Sequence, residues 1–205
     1  MDSVQIFKDT LYFLAILNPA SKLLFLSSYN PPLTGHQNFE LSWKSSLTAC
    51  LILVVFTLVG TILLADVFRI QMYALRVSGG LILFFTGWQA VRNGKFTNDS
   101  VTKSLDLTEV SIIPLAAPLI TGPGTITIAI TLASEHGQFH ALTVVVVSCL
   151  VNFLLMTATP IINRVLVALH VVGPLIRITG LIVATVAIQM MLTGLTEWLA
   201  TALPR

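Results

Sequence analysis

From Ser45 to Ala65 the chain runs 21 residues without a charge, bracketed by Lys44 and Asp66; from Ala141 to Asn163 it does so for 23 residues, ending before Arg164. A helix of about 20 apolar residues spans the bilayer hydrocarbon, so each stretch is long enough to cross alone. Tyr73 to Val91 and Ile178 to Thr196 follow the same pattern. Arg76 lies just inside the start of the first of these, where its long stem is expected to carry the guanidinium to the headgroups. Composition then excludes the alternatives. Only 10% of the residues are charged and 55% are hydrophobic, against about 25% charged in a soluble domain, so a soluble enzyme and a disordered chain are both ruled out. Eleven basic against nine acidic residues leave a net charge of +2, which speaks against a nucleic-acid partner. The 205 residues hold about six spans with short loops and leave no room for a second domain. Met1-Asp2-Ser3 has neither the positive region nor the cleavage site of a secretory signal, so the first apolar run is expected to stay as a membrane segment.

The remaining two spans are irregular. Thr10 to Ser28 is interrupted by Asn18-Pro19-Ala20-Ser21-Lys22, and Val110 to Ala133 contains Pro114, Pro118 and Gly122-Pro123-Gly124. Proline inside a helix removes a backbone hydrogen bond and clashes with the preceding turn. Backbone groups freed in hydrocarbon must be satisfied by protein or water, so broken spans belong in the protein interior or beside a wet cavity. Tyr29 to Trp43, with Asn30-Pro31-Pro32 and Thr34-Gly35, reads as a turn-rich connection. Arg92 to Glu109 is the most polar stretch and sits at the midpoint, as a linker would.

The chain also repeats itself. Arg76-Val77-Ser78-Gly79-Gly80-Leu81-Ile82 recurs as Arg177-Ile178-Thr179-Gly180-Leu181-Ile182; Gln89 then meets Gln189, and Cys50 meets Cys149. Asn18-Pro19 in the first span has its counterpart in Gly122-Pro123 in the fourth, all at a period near 100 residues. Three spans per half is an odd number, so the halves must insert in opposite senses, as in many secondary transporters. The expected fold is an all-α polytopic membrane protein with six transmembrane helices in two inverted three-helix repeats. Helices 1 and 4 are broken, with repeat A at about 1–92, a linker at about 93–109 and repeat B at about 110–205. Lys and Arg favour the side opposite the chain ends by six to four, with Lys22 unassigned, which places both termini outside the cytoplasm and Lys95 and Lys103 inside.

These residues carry a resemblance. Ile113-Pro114-Leu115-Ala116-Ala117-Pro118-Leu119-Ile120-Thr121-Gly122-Pro123-Gly124-Thr125-Ile126 closely resembles the signature of the MarC family of integral membrane proteins, and Asn18-Pro19 and Arg76-x-Ser78-Gly79-Gly80-Leu81-Ile82 resemble its other two marks. The resemblance implies a bacterial inner-membrane protein with six spans and both ends periplasmic, distantly tied to LysE-type exporters. It names no substrate. Family members often read Asn-Pro-x-Gly with a second proline following; here Ser21 and Leu24 stand at those places, which implies a milder first break.

In inverted-repeat transporters, paired broken helices form the binding site, and their half-helix N-termini offer free N–H groups to an anionic ligand. The expected substrate-binding residues are therefore Asn18, Pro19, Lys22, Pro118, Gly122, Pro123 and Gly124, with Gln89 and Gln189 as intramembrane polar groups. Asn18 is either a ligand contact or a cap on backbone freed by Pro19. Lys22 is the one charge plausibly deep in a span, where it is either functional or snorkels. Gly79, Gly80 and Gly180, with Ser78 and Thr179, are expected at helix–helix contacts. No Asp or Glu lies securely inside a span, and the four histidines fall in loops or at span ends. Neither catalytic residues nor a metal or cofactor site is expected, and the chain is not read as an enzyme. The leading function is a small-solute transporter or exporter in the lipid bilayer with its site between helices 1 and 4, and a homo-oligomer is left open. Alternatives are a non-transporting membrane scaffold and, least favoured, a thiol-redox carrier using Cys50 and Cys149, since neither cysteine is near a charge in the sequence and redox thiols need a low pKa.

Overall fold

The charge-free stretches fold as long helices. The structure, a computed structural model, describes residues 3–27, 33–94, 120–168 and 172–202. These form α1 (Ser3–Leu17), α2 (Pro19–Ser27), α3 (Gly35–Ile62), α4 (Met72–Asn93), α5 (Pro123–His136), α6 (Gln138–Thr157), α7 (Thr159–Ala168) and α8 (Val172–Ala202), with a π-helical turn at Leu63–Val67 after α3 and no strand among the described residues. Among the described residues five segments are long and apolar enough to cross a membrane: α1 with α2 over Ser3–Ser27, α3 with its π turn over Gly35–Val67, α4, α6 and α8. The protein is an all-helical polytopic membrane protein. The 14-residue α5, at about 1.5 Å per residue, covers only about 20 Å and is a half-span helix. The expected linker and the part of the fourth span before Ile120, with Pro114 and Pro118, lie outside the described residues.

Two boundaries differ from expectation. The expected connection up to Trp43 is largely helix, because α3 begins at Gly35 behind a capping box. Thr34 Oγ1 accepts from the Gln37 N–H (3.3 Å) and Gln37 Oε1 accepts from the Thr34 N–H (2.9 Å). The span expected to reach Asn163 ends at Thr157 instead. Ala158 takes the turn there, and the Thr159 hydroxyl bonds back to the Met156 carbonyl (2.6 Å) before α7 sets off. Lack of charge thus marks where a helix can lie in lipid, not where it stops.

Side-chain partners fix the orientation of the helices. Arg76 at the start of α4 reaches Glu135 at the end of α5 and Glu197 near the end of α8. Gln138 at the start of α6 donates to the Leu58 carbonyl late in α3 (3.1 Å). On the opposite side, Asn38 Nδ2 near the start of α3 donates to the carbonyls of Met156 (3.1 Å) and Thr157 (3.3 Å) at the end of α6. Outward positions are apolar (Leu51, Val55, Phe85, Leu150, Leu181), whereas Ser42, Ser45, Thr57, Ser148 and Asn152 are buried. This is the pattern expected where lipid is the solvent and polar groups hold helices together. Asn38→Leu takes the amide donor from the Thr157 carbonyl, while the Met156 carbonyl keeps the Thr159 hydroxyl, so we expect a loss of about 1–3 kcal/mol. Gln138→Leu, at an exposed contact, should cost much less. Thermal unfolding in detergent, followed by helical circular dichroism, compares the two.

The most extensive helix contact is the antiparallel pair α4 and α8, built on small residues. A Cβ at Gly80 would sit 2.8 Å from the Ala187 carbonyl oxygen, and one at Gly180 3.0 Å from the Gly87 carbonyl oxygen. Gly79 packs instead on Thr127 of α5. The glycines expected at helix contacts are therefore found there. Ser78 is not: it is exposed and its hydroxyl returns to the Leu75 carbonyl (3.1 Å). Thr179 is half-buried and bonds the Leu175 carbonyl of its own helix (2.8 Å).

Candidate functional site

The first break centres on Asn18. Pro19 cannot continue the hydrogen-bond ladder, and Asn18 takes a left-handed conformation (φ +50°), which Asn tolerates better than most residues. Its N–H still closes α1 onto the Leu14 carbonyl (2.9 Å). Its own carbonyl accepts from the Ser21 N–H (3.1 Å) and the Ser21 hydroxyl (2.8 Å). Lys22 is 1% exposed. Rather than snorkelling, it folds its ammonium back onto the Leu17 carbonyl and lies 3.4 Å from the Asn18 carbonyl. The partial negative charge at the C-terminus of α1 is what makes that position tolerable for a cation.

The second break is the start of α5. Gly122 is its N-cap in an extended conformation, and Pro123 occupies the first turn, where its missing N–H costs nothing. The Thr125 hydroxyl binds the carbonyls of Ile120 (2.9 Å) and Gly122 (2.8 Å), which secures the chain before the helix. The first N–H groups of any helix lack intrahelical acceptors, and here they belong to residues lining a cavity.

That cavity, about 260 Å³, is bounded by Ile16, Leu17, Asn18, Ser21 and Lys22 at the first break and Gly122 to Thr125 at the second. Ile82, Leu83, Thr86 and Gln89 of α4 and Val183 of α8 complete it. Six of the expected binding residues, Asn18, Lys22, Gln89, Gly122, Pro123 and Gly124, therefore share one space. Pro19 bends the chain beside it without being part of the lining, and Pro118 lies outside the described residues. Gln189 is elsewhere. It lines a second cavity, of about 310 Å³, with Asp9, Tyr12, Arg76, Glu135, His136 and Thr193.

The second cavity holds what the sequence did not disclose. Arg76 is 5% exposed; instead of reaching the headgroups it bridges Glu135 and Glu197. Asp9, buried in α1, accepts from Gln5 Nε2 (3.0 Å) and lies 2.7 Å from His140 Nε2, itself buried, and 4.0 Å from His136 Nε2. Asp9 falls inside the first span, contrary to the reading that no carboxylate does, whereas His140 stands at a span end as expected but is buried. Their partners are 131 residues apart, and nothing local in the sequence joins them. Together these groups tie α1, α4, α5, α6 and α8 at one end.

Cys50 of α3 and Cys149 of α6 are free thiols lying next to each other, with Lys22 close to Cys149; sequence alone had placed no charge near them. Among the described residues no group of three or more His, Cys, Asp or Glu side chains could hold a metal ion.

The chain is similar to membrane proteins of archaea and bacteria. A UPF0056 membrane protein of the archaeon Pyrococcus horikoshii is 31% identical over 190 residues, covering 93% of each chain. Another, YvbG of the bacterium Bacillus subtilis, is 27% identical over 191 residues, covering 88% of this chain and 89% of its own. No solved structure matches. The profile of the MarC family integral membrane proteins matches residues 3–199, and with the multi-pass helical architecture, the paired breaks and the relatives in agreement, the chain belongs to the MarC family.

Proposed function

We propose that this protein is a small-solute transporter or exporter whose substrate site is the cavity between the broken first and fourth spans. One observation carries the reading: the two backbone breaks, Asn18-Pro19 and Gly122-Pro123-Gly124, are about 100 residues apart in the chain yet lie against the same 260 Å³ cavity. Unwound backbone at membrane depth is tolerated where it lines such a space, and discontinuous helices at paired positions are how many secondary transporters build their sites.

The inverted-repeat reading has its own support in reciprocal contacts. Gly80 packs on Ala187 and Gly180 on Gly87; Asn38 reaches the end of α6 and Gln138 reaches late α3. In each case residue i meets j plus about 100 where i plus about 100 meets j, the relation a two-fold axis imposes. Cys50 and Cys149, one such equivalent pair, neighbour each other, as residues on that axis must. The halves would then rock about a fixed site, with the Arg76, Glu135 and Glu197 cluster closing one end. In this reading the protein sits in the cell membrane with both termini outside, and carries solute without chemistry on it.

Purified protein in vesicles, offered a panel of radiolabelled short-chain acids, amino acids, amines and neutral sugars, tests the proposal. We expect counterflow of at least one class above protein-free vesicles, strongly reduced by Pro123→Ala, which straightens the second break. Folded protein that carries none of the panel would overturn the transporter reading in favour of a scaffold. Thiol labelling of intact cells tests the sidedness. In a Cys-free background, a cysteine replacing Arg69 should react with an impermeant thiol reagent and one replacing Asn93 should not; the opposite pattern reverses the topology.

A further inference from the structure

We propose that the cavity between the two breaks binds a small aliphatic monocarboxylate, and selects it over amino acids, amines and dicarboxylates. The inference takes the transporter reading of this site and adds its substrate class. Among the described residues lining the cavity, Lys22 is the only charged one. Among the described residues no carboxylate pairs with it; its hydrogen bonds go to the Leu17 and Asn18 carbonyls. An ammonium has three donors. Two are used on neutral carbonyls, which leaves one donor of a lining residue for something that enters the cavity. A buried cation is costly until paired, so an anion binds there with the advantage of relieving that cost.

The rest of the lining sharpens the class. The start of α5, with Gly122, Pro123 and Gly124 in the wall, adds the positive end of a helix dipole to the lining. Ile16, Leu17, Ile82, Leu83 and Val183 supply an apolar wall, which suits a short or branched hydrocarbon body. A volume of about 260 Å³ is below the roughly 300–1,000 Å³ of drug-sized sites and limits the occupant to a small metabolite. An amino acid would bring an ammonium that finds no acid in the lining, and a dicarboxylate a second charge that finds no second cation. Gln89 and Thr86 offer neutral hydrogen bonds that fit a carboxylate oxygen or a hydroxyl.

Calorimetric titration of the wild-type protein in detergent tests this directly, with 4-methylvalerate as the acid, its amide, isopentylamine, leucine and methylsuccinate as probes. We expect the acid to bind about tenfold or more tightly than its amide, the difference one charge-assisted hydrogen bond makes, and the amine, leucine and the diacid to bind more weakly still. Lys22→Gln, checked for helix content and monodispersity, should erase the preference for acid over amide. Equal affinity for acid and amide, tighter binding of leucine or the amine, or no binding of any probe by folded wild-type protein would overturn the assignment. Carboxylate binding without flux in vesicles keeps this assignment and overturns the transporter reading. Flux of a neutral or cationic solute without carboxylate binding does the reverse.

Discussion

Gly87→Leu should leave almost no folded protein in the membrane. A Cβ at this position would lie 2.6 Å from the Ala184 nitrogen, 2.7 Å from the Gly180 carbonyl oxygen and 3.0 Å from the Ala184 Cα. All three are backbone atoms of α8, so nothing can rotate aside; the whole helix would have to move away from α4. That helix pair is the largest contact in the protein, and its closeness depends on small residues meeting backbone to backbone. We expect a loss above about 4 kcal/mol, in the range reserved for severe overpacking. Two controls separate this from a general intolerance of side chains. A Cβ at Gly35 meets nothing within 4 Å, so Gly35→Ala should be silent. At Gly124 the obstruction is the Leu83 side chain, which has rotamers to explore, so Gly124→Ala should cost less than Gly87→Ala. The yield of monodisperse protein and its helical melting curve rank the four variants.

Lys22→Met should reduce carboxylate transport about a hundredfold or more, while most of the protein still inserts and folds. The folding side of this expectation follows from what the ammonium touches. Ser21 continues to donate to the Asn18 carbonyl through both its N–H and its hydroxyl, so only the Leu17 carbonyl loses its donor, at about 1–3 kcal/mol. Exchanging a buried ion for an apolar side chain of similar length offsets part of that, because no charge needs to be desolvated. The functional side is harsher: the one charged residue among the described lining residues is gone, and a buried carboxylate then meets helix dipoles, amides and hydroxyls. Lys22→Arg keeps the charge and should retain partial transport with altered affinity, since the planar guanidinium reaches differently. Uptake rates in vesicles, normalised to inserted protein, distinguish the three forms.

The spans and the breaks were legible in the chain because each rests on a local property. Some 20 residues without charge suffice to call for a crossing, and a proline inside such a run suffices to interrupt it. The glycines at positions 79, 80 and 180 were legible for the same reason. The capping box at Thr34 and Gln37 was a local signal too, but reading Tyr29 to Trp43 as a turn-rich connection passed over it. What stayed hidden depends on pairing across the bundle. Arg76 reads as a snorkelling residue near a span end; only the fold shows Glu135, 59 residues on, and Glu197, 121 residues on, closing around it. Asp9 and His140 read as polar ends of helices until α1 and α6 are packed together. Gln189 was grouped with Gln89 by repeat position, yet α4 and α8 run antiparallel, which carries the two glutamines to different cavities.

The central claim is that solute passes through the cavity between the two breaks. Gln89 lines that cavity and is exposed within it, so a cysteine there, in a protein with Cys50 and Cys149 replaced by serine, can be plugged by a bulky thiol reagent. Vesicles carrying this variant should transport labelled 4-methylvalerate until the reagent is added and then stop, with excess unlabelled acid slowing the modification. A variant that is fully modified at position 89 and still transports at its original rate would contradict the account.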